Sequence, residues 1–219
     1  LLPAYLFCVA ELGIDSALAG TLNSLTPIFV IITGALFFRS KTSSNKIFGI
    51  GVAFTGSILL LLSKGQIPEN QNLMYISYVV LATICYGFNV NMVHKHLHHI
   101  GSLQIASVAL TLNAIPALVV LYFTGYFSLP LSDSGILYST GHAALLGILG
   151  TAVASIIFYV LIKRAGAVFS SMVTYGIPVI ANLWGLFYGE EVGWVQFGCL
   201  ALILTGVYLA NRKISKTGS

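Results

Sequence analysis

The sequence predicts an all-α membrane protein, a polytopic bundle of transmembrane helices. Of its 219 residues, 57% are hydrophobic and only 7% are charged, whereas an ordinary soluble protein is about 25% charged. The apolar residues occur in uninterrupted segments close to the ~20 residues that a helix needs to cross a bilayer. The charged residues fall between these segments. This pattern predicts a chain whose main partner is the lipid bilayer.

Each apolar segment is interpreted as one helix. Residues 1–10 are the end of a helix that is only partly present. The connections are short except for residues 125–141, where Pro130 and several glycines predict a longer surface loop. The sequence therefore predicts about seven full helices and one partial helix. The full helices are predicted at residues 16–38, 46–63, 73–93, 103–124, 142–162, 166–188 and 193–211.

The charges alternate between the two sides of the predicted bundle. Nine of the ten Lys and Arg residues fall in alternate connections and in the C-terminal segment, and all six Asp and Glu residues fall on the other side. Cytoplasmic loops of membrane proteins are enriched in Lys and Arg. The pattern predicts a multi-pass protein of the inner (plasma) membrane with a cytoplasmic C-terminus. Because the net charge of +4 is explained by topology, no nucleic-acid partner is predicted.

An internal repeat relates two of these predicted helices. The segment TLNSLTPIFVIITGALFF at residues 21–38 carries a central proline, and a second proline follows 151 residues later. The predicted topology makes the first proline helix run inward and the second run outward. Similar segments in opposite orientation indicate an inverted-topology repeat, an arrangement of many secondary transporters. The matched pairs are Pro27 with Pro178, Gly34 with Gly185, and Gly56 with Gly206 in the helix that follows each copy.

These motifs resemble the EamA repeat of the drug/metabolite transporter superfamily. In the first half, Leu25-Thr26-Pro27 is followed by Gly34, a short basic loop and a glycine-containing helix. In the second half, Gly176-Ile177-Pro178-Val179 is followed by the turn Gly189-Glu190-Glu191 and another such helix. The first half carries Arg39-Ser40 where the family usually has Gly-Glu. The second half alone therefore keeps the structural turn with Glu190 and Glu191.

The resemblance implies ten helices in two inverted repeats of five, with a substrate path between them. Residues 1–64 then form the C-terminal part of the first EamA repeat and residues 73–212 the second, within one membrane domain. About two and a half helices would precede the first residue. The implied function is transport of small polar or amphipathic metabolites or drugs by alternating access, with export as its direction. A non-transporting scaffold or sensor with the same fold is the alternative, and a homodimer is an assembly left open.

The predicted spans contain neutral polar residues and no clear charge. An intramembrane charge is functional by default, so its absence argues against a lysine-bound retinal and against pairing of phosphate with Lys or Arg. An interior proline frees the carbonyl four residues earlier, next to amides and hydroxyls that either line a solute path or bond neighbouring helices. The candidates for the path are Asn23, Thr26, Pro27, Asn113, Thr174, Pro178 and Asn182.

Two further groups carry less functional weight. Asn89 and Asn91 lie about 200° apart on a helix, so they do not face one cavity together, and Asn113 is preferred to them. In the run from His94 to His99, His94 and His98 share a helical face, but no acid lies near them in the sequence and no third ligand is in place on that face. A solvated loop is predicted there, with no metal. No cofactor or enzymatic activity is predicted, because nucleophile, phosphate-loop and metalloprotease motifs are absent from the sequence.

Overall fold

The computed structural model describes residues 2–14, 16–63, 73–130, 133–187 and 193–211, and helices are the only regular secondary structure within them. This confirms the predicted all-α fold class. The α-helices are interrupted by 3₁₀ segments at Tyr126–Ser128 and Met172–Tyr175 and by a π-helical segment at Gly147–Val153. In chain order they are α1 (Leu2–Ala10), α2 (Ser16–Asn23), α3 (Thr26–Phe38), α4 (Ser44–Ser63), α5 (Leu73–His96), α6 (Ser102–Phe123), α7 (Ser134–Leu146), α8 (Ala154–Ala165), α9 (Ala167–Ser171), α10 (Gly176–Phe187) and α11 (Trp194–Asn211).

Six helical stretches in the described ranges are long and apolar enough to cross a membrane. They correspond to six of the seven predicted full spans. The seventh, predicted at residues 166–188, contains the apolar stretch Ala167–Ile180, which is shorter than the other six. The chain is a multi-pass membrane protein. The six stretches are Leu18–Phe38, Ser44–Ser63, Leu73–His96, Ser102–Phe123, Ser134–Ala165 and Trp194–Asn211.

The prediction of a long loop at residues 125–141 is wrong for the second half of that range. Helix α7 begins at Ser134, where the Asp133 carboxylate accepts hydrogen bonds from the backbone N–H groups of Gly135 at 2.8 Å and Ile136 at 3.4 Å. A side chain that satisfies these orphan N–H groups stabilises a helix start. The glycines and serines that resembled a loop are therefore part of a helical stretch of 32 residues.

Helix α3 ends at a residue where the resemblance would place glycine. Arg39 adopts a left-handed backbone conformation with φ of 51°. The backbone N–H groups of Arg39 and Ser40 both donate to the carbonyl oxygen of Gly34, Ser40 at 2.9 Å. Glycine is the usual residue at this position of a helix end. Helix α3 therefore ends in a left-handed residue although this chain lacks a glycine there.

The chain forms two units. The first unit comprises Leu2–Met92 together with the chain from Ala167 onward, and the second unit is Val93–Gly166. In the second unit α6 packs against α8. Its long spans bury few side chains, only 11% of the most apolar window in Ser102–Phe123 and 6% of that in Ser134–Ala165. Their exposed apolar surfaces are the part of the chain most available to lipid.

The core of the first unit is a close contact between α4 and α11. A Cβ atom at Gly206 would lie 2.4 Å from the backbone nitrogen of Ala53 and 2.6 Å from the carbonyl oxygen of Gly49. A Cβ atom at Gly56 would lie 3.0 Å from the backbone nitrogen of Ile203. The two helices run antiparallel and touch through their backbones. Small residues permit this approach, which is the usual source of helix association in lipid.

The contacts between α4 and α11 occur in matched pairs. The internal repeat relates Gly56 to Gly206 by an offset of 150 residues. The same offset relates Gly49 to Cys199. The contact of Gly206 with the carbonyl of Gly49 therefore has a counterpart, in which a Cβ atom at Gly56 would lie 3.2 Å from the carbonyl oxygen of Cys199. Such exchange of partners is the property of a two-fold contact.

We expect Gly206→Ala to destabilise the protein, because the added Cβ meets the backbone of Ala53, which has no side-chain rotamer to change. The cost of such overpacking is about 1–3 kcal/mol. Gly198→Ala on the same helix is the matched control, since a Cβ there meets nothing within 4 Å and alanine gains up to about 1 kcal/mol of helix propensity. The apparent Tm of the purified protein in detergent measures both. A rise in Tm with both variants would contradict the close contact.

Candidate functional site

The first broken segment joins α2 to α3. The two helices are separated by Ser24 and Leu25, whose backbone N–H groups donate to the carbonyls of Thr21 and Leu22, three residues earlier, at 3.0 Å each. Helix α3 then starts at Thr26, and Pro27 is its second residue and fully buried. The helix is thus interrupted within one membrane span, and the interruption lies just before the proline.

The second broken segment has the same construction. A 3₁₀ segment, Met172–Tyr175, separates α9 from α10. Helix α10 starts at Gly176, which places Pro178 at its third residue, where it is buried. In both segments the proline therefore lies in the first turn of a helix. The first N–H groups of a helix have no partner within the helix, so the missing N–H of proline removes no helical hydrogen bond there. A proline in the middle of a continuous helix would remove one.

The two broken segments contact each other within the first unit. Helix α3 contacts α9 and the Met172–Tyr175 segment, and α2 contacts α10. Helix α2 also contacts α4, while the Met172–Tyr175 segment contacts α11. Because the repeat relates α2 to the α9 region, α3 to α10 and α4 to α11, these contacts again form exchanged pairs. The candidate site is the region where the two broken segments meet.

Two predicted path residues in the first segment bond to each other. The hydroxyl of Thr26 donates to the carboxamide oxygen of Asn23 at 3.1 Å, and Thr26 is only 3% exposed. In the second segment the Thr174 hydroxyl donates to the carbonyl of Ser171 at 2.9 Å. These bonds are local. They do not link one membrane span to another, whereas bonding between neighbouring spans was one of the two interpretations that the sequence left open for these groups.

A buried hydroxyl beside the first interruption has no partner. Ser24 has no exposed surface, and its Oγ atom makes no hydrogen bond to any group in the described part of the chain. Leaving such a buried polar group unsatisfied costs about 1–3 kcal/mol. Ser24 is one of the neutral polar residues before Pro27 in the sequence, but it is not among the predicted path candidates.

The remaining predicted residues lie in the second unit or have side chains that the structure does not describe. Asn113 is half-buried on α6 of the second unit, and α6 continues as a helix through Pro116. Asn182 lies on α10, but its side chain is not among those described. Glu190 and Glu191 lie outside the described residues. The role of these four residues stays a prediction.

Asn91 makes more polar contacts than the sequence analysis assigned to it. Its side-chain nitrogen donates to the carbonyl of Val30 at 2.8 Å, to the Thr33 hydroxyl at 3.1 Å and to the carbonyl of Gly87 at 2.9 Å. Asn91 is 2% exposed and joins α5 to α3. Asn89 is exposed, as their angular separation requires. The sequence did not predict this contact between α5 and α3, because the partners of Asn91 on α3 are distant along the chain.

Glycines allow α3 and α5 to approach at this contact. A Cβ atom at Gly34 would lie 3.0 Å from the carboxamide oxygen of Asn91, and one at Gly87 would lie 2.9 Å from the backbone carbonyl of Phe29. Gly34 is one of the residues that carried the family resemblance. Its place beside Asn91 shows that this glycine makes room for a buried amide.

The described charges lie at helix ends and in connections, so the region where the broken segments meet is lined by neutral groups. Glu11 follows α1, Asp133 precedes α7, and the basic residues lie in the first or last turns of helices or between them. A site of this kind binds through hydrogen bonds and shape. The basic residues concerned are Arg39, Lys41, Lys46, Lys95, Lys163 and Arg164.

The histidine run lies in the second unit at the end of α5. The Nδ1 atom of His94 lies 3.3 Å from the carbonyl oxygen of Ile162, and the ammonium group of Lys163 donates to the carbonyl of Ile100. These bonds connect the start of the run to the end of α8. Among the residues that the structure describes, His, Cys, Asp and Glu form no group of three or more able to hold a metal ion.

Comparison with known proteins identifies the family of the chain. The profile of the EamA-like transporter family matches residues 73–212, which is more than half of the chain. The chain belongs to the EamA-like transporter family. This confirms the resemblance that its proline and glycine motifs indicated, and it makes the chain a membrane protein of a transporter family.

Two relatives extend the similarity over most of this EamA-family chain. It is 27% identical over 209 residues to a protein of Archaeoglobus fulgidus named uncharacterized transporter, a match that covers 94% of this chain and 71% of that protein. It is 22% identical over 187 residues to the uncharacterized transporter YxxF of Bacillus subtilis strain 168. That match covers 84% of this chain and 58% of the relative, so the chain spans little more than half of the Bacillus protein.

We expect Asn91→Ala to destabilise the first unit by about 1 kcal/mol, since the two hydrogens of its buried amide group lose bonds worth roughly 0.6 kcal/mol each. Asn89→Ala is the matched control, because Asn89 is exposed on the same helix. Unfolding of both variants in detergent with increasing denaturant measures the difference. Equal midpoints for the two variants would show that the bonds of Asn91 do not hold α5 to α3.

Proposed function

We propose that this protein carries small polar or amphipathic metabolites or drugs across the inner membrane by alternating access, in the direction of export. The first repeat includes residues 1–64 and the second residues 73–212. The proposal rests on family membership together with the geometry of the first unit. It treats the chain as a carrier without enzymatic activity and without nucleic-acid partners.

The observation that carries the proposal is the exchange of contacts between the two halves of the repeat. The α4–α11 contact matches itself at an offset of about 150 residues, the α2–α4 contact is matched by that of the Met172–Tyr175 segment with α11, and the α3–α9 contact by that of α10 with α2. Inverted repeats of this kind alternate between two equivalent arrangements around a central site. Interrupted helices at the repeat interface are the usual position of that site.

The groups that would contact the solute are neutral. The interruption before Pro27 brings Asn23 and Thr26, and the one before Pro178 brings Thr174, to the region where the segments meet. Asn113 and Asn182 complete the proposed set of path residues. Since the described charges lie at helix ends, a solute with hydrogen-bonding groups and no net charge fits this region best. A zwitterionic metabolite satisfies the same requirement.

Export and its substrate can be tested together. Full-length protein is overproduced in bacteria that lack their own exporters of the same kind, and a panel of amino acids and drugs is scored for growth resistance and for loss of accumulated compound. Resistance together with reduced accumulation supports export. Accumulation that rises with expression indicates import, and no change across the panel favours the alternative of a non-transporting scaffold or sensor.

The proline interruptions are expected to serve transport more than assembly. Pro27→Ala and Pro178→Ala allow a continuous helix through each interruption, so both should reduce flux by about tenfold or more if rearrangement of these segments limits transport. The amount of protein in the membrane should change little. Flux of a panel compound, divided by the amount of protein in the membrane, measures the effect.

Pro130→Ala is the matched control for the two prolines, because Pro130 is exposed and lies between helices. It is expected to retain flux and expression. If Pro27→Ala and Pro178→Ala lose flux and expression in equal proportion, the prolines are needed for folding and the mechanistic role fails.

The proposed orientation places the α3–α4 connection in the cytoplasm and the start of α7 outside, with a cytoplasmic C-terminus. Ser43→Cys and Ser134→Cys, each in a chain whose Cys8, Cys85 and Cys199 are replaced by alanine, should react with a membrane-impermeant maleimide from opposite sides. Both serines are exposed. Only the thiol at position 134 should react in intact cells, and the one at position 43 should react after permeabilisation. Reaction of both thiols in intact cells would contradict the inverted topology.

A further inference from the structure

The unpaired hydroxyl of Ser24 lies at the first interruption. It is fully buried, and its Oγ atom bonds to no group in the part of the chain that the structure describes. Four other buried hydroxyls of the first unit are paired with a backbone carbonyl three or four residues earlier in the chain. Ser57 bonds to Ala53, Thr33 to Phe29, Thr83 to Val80 and Ser171 to Val168. The hydroxyl of Ser24 makes no such bond.

The repeat shows what the same position does in the other half. Tyr175 lies 151 residues after Ser24, the spacing that relates Pro178 to Pro27. Its side chain is buried, and its hydroxyl donates to the carbonyl of Ile50 on α4 at 3.2 Å. At this position the second half carries a long side chain whose hydroxyl is paired, and the first half carries a short side chain whose hydroxyl has no partner in the described residues.

We propose that Ser24 lines the solute path and that its hydroxyl donates a hydrogen bond to an uncharged oxygen of the solute, such as a hydroxyl or carboxamide oxygen. The proposal rests on the proposed carrier function and adds to it a named polar contact and its position. A hydroxyl without a protein partner is free to pair with a solute without first breaking another bond. Tyr175, whose hydroxyl is already paired, anchors the opposite segment to α4.

An uncharged partner follows from the surroundings of Ser24. The neighbouring polar side chains, Asn23 and Thr26, are neutral and bond to each other. The described charges of the first unit lie at helix ends or in connections, and Ser24 is the first residue of the turn between α2 and α3, inside the span Leu18–Phe38. A charged group at this depth would need a paired countercharge, which the adjacent residues do not supply.

The test measures whether position 24 becomes accessible to water. Ser24→Cys and, as a control, Ser57→Cys are made in the full chain whose Cys8, Cys85 and Cys199 are replaced by alanine. Both serines are fully buried in the first unit, but Ser57 lies on α4 and its hydroxyl is paired. The reconstituted proteins are treated with a charged, membrane-impermeant methanethiosulfonate applied to both sides, and loss of the free thiol is followed by mass spectrometry.

We expect the thiol at position 24 to be lost and the thiol at position 57 to be retained, because only the path opens to water during alternating access. Retention of both thiols, or loss of both at the same rate, overturns the proposal. Ser24→Ala supplies a second measurement. Because the hydroxyl has no protein partner, its removal should leave Tm unchanged or raise it, and a fall in Tm would show a structural bond and also overturn the proposal.

The outcome is distinguishable from that of the proposed function. If the compound panel shows export while the thiol at position 24 is retained, the carrier function stands and the role of Ser24 fails. If the thiol at position 24 alone is lost while the panel shows no transport, the region opens to water and the carrier function fails.

Discussion

The contact between the backbones of α4 and α11 is the constraint on which the rest of the first unit depends. Lipid gives helices little hydrophobic reason to associate, so close packing and polar contacts must hold them together. Gly49, Gly56 and Gly206 bring the two backbones together. The broken segments pack against this pair, α2 against α4 and the Met172–Tyr175 segment against α11. A larger side chain at any of these glycines would displace the surface on which the segments rest.

The same constraint makes the interruptions possible. Within a bilayer, backbone that is not helical is tolerated only where protein or a cavity surrounds it. Both prolines are buried, and each interrupted segment contacts the other. Each half therefore shields the irregular backbone of its counterpart. An arrangement in which two interruptions protect each other suits a carrier, because movement of one half changes the surroundings of both.

The sequence predicted the fold class, six of the spans and the family because these depend on local composition and spacing. It was wrong about the start of α7, where Asp133 caps a helix through residues that resemble a loop. It did not predict the contact of Asn91 with α3. The bonds of Asn91 reach Val30, which is 61 residues away, and hydropathy along the chain carries no information on a partner that distant.

The chain alone determined that the protein is a multi-pass membrane protein of the EamA-like transporter family, and its paired prolines indicated where its helices break. Tertiary structure decided which polar groups are already paired. Thr26 bonds to Asn23, Asn91 bonds to α3, and Ser24 bonds to nothing in the described residues. Membrane insertion follows from hydrophobicity summed over some twenty residues. Hydrogen-bond pairing instead depends on which side chains the packed helices bring within about 3 Å of each other.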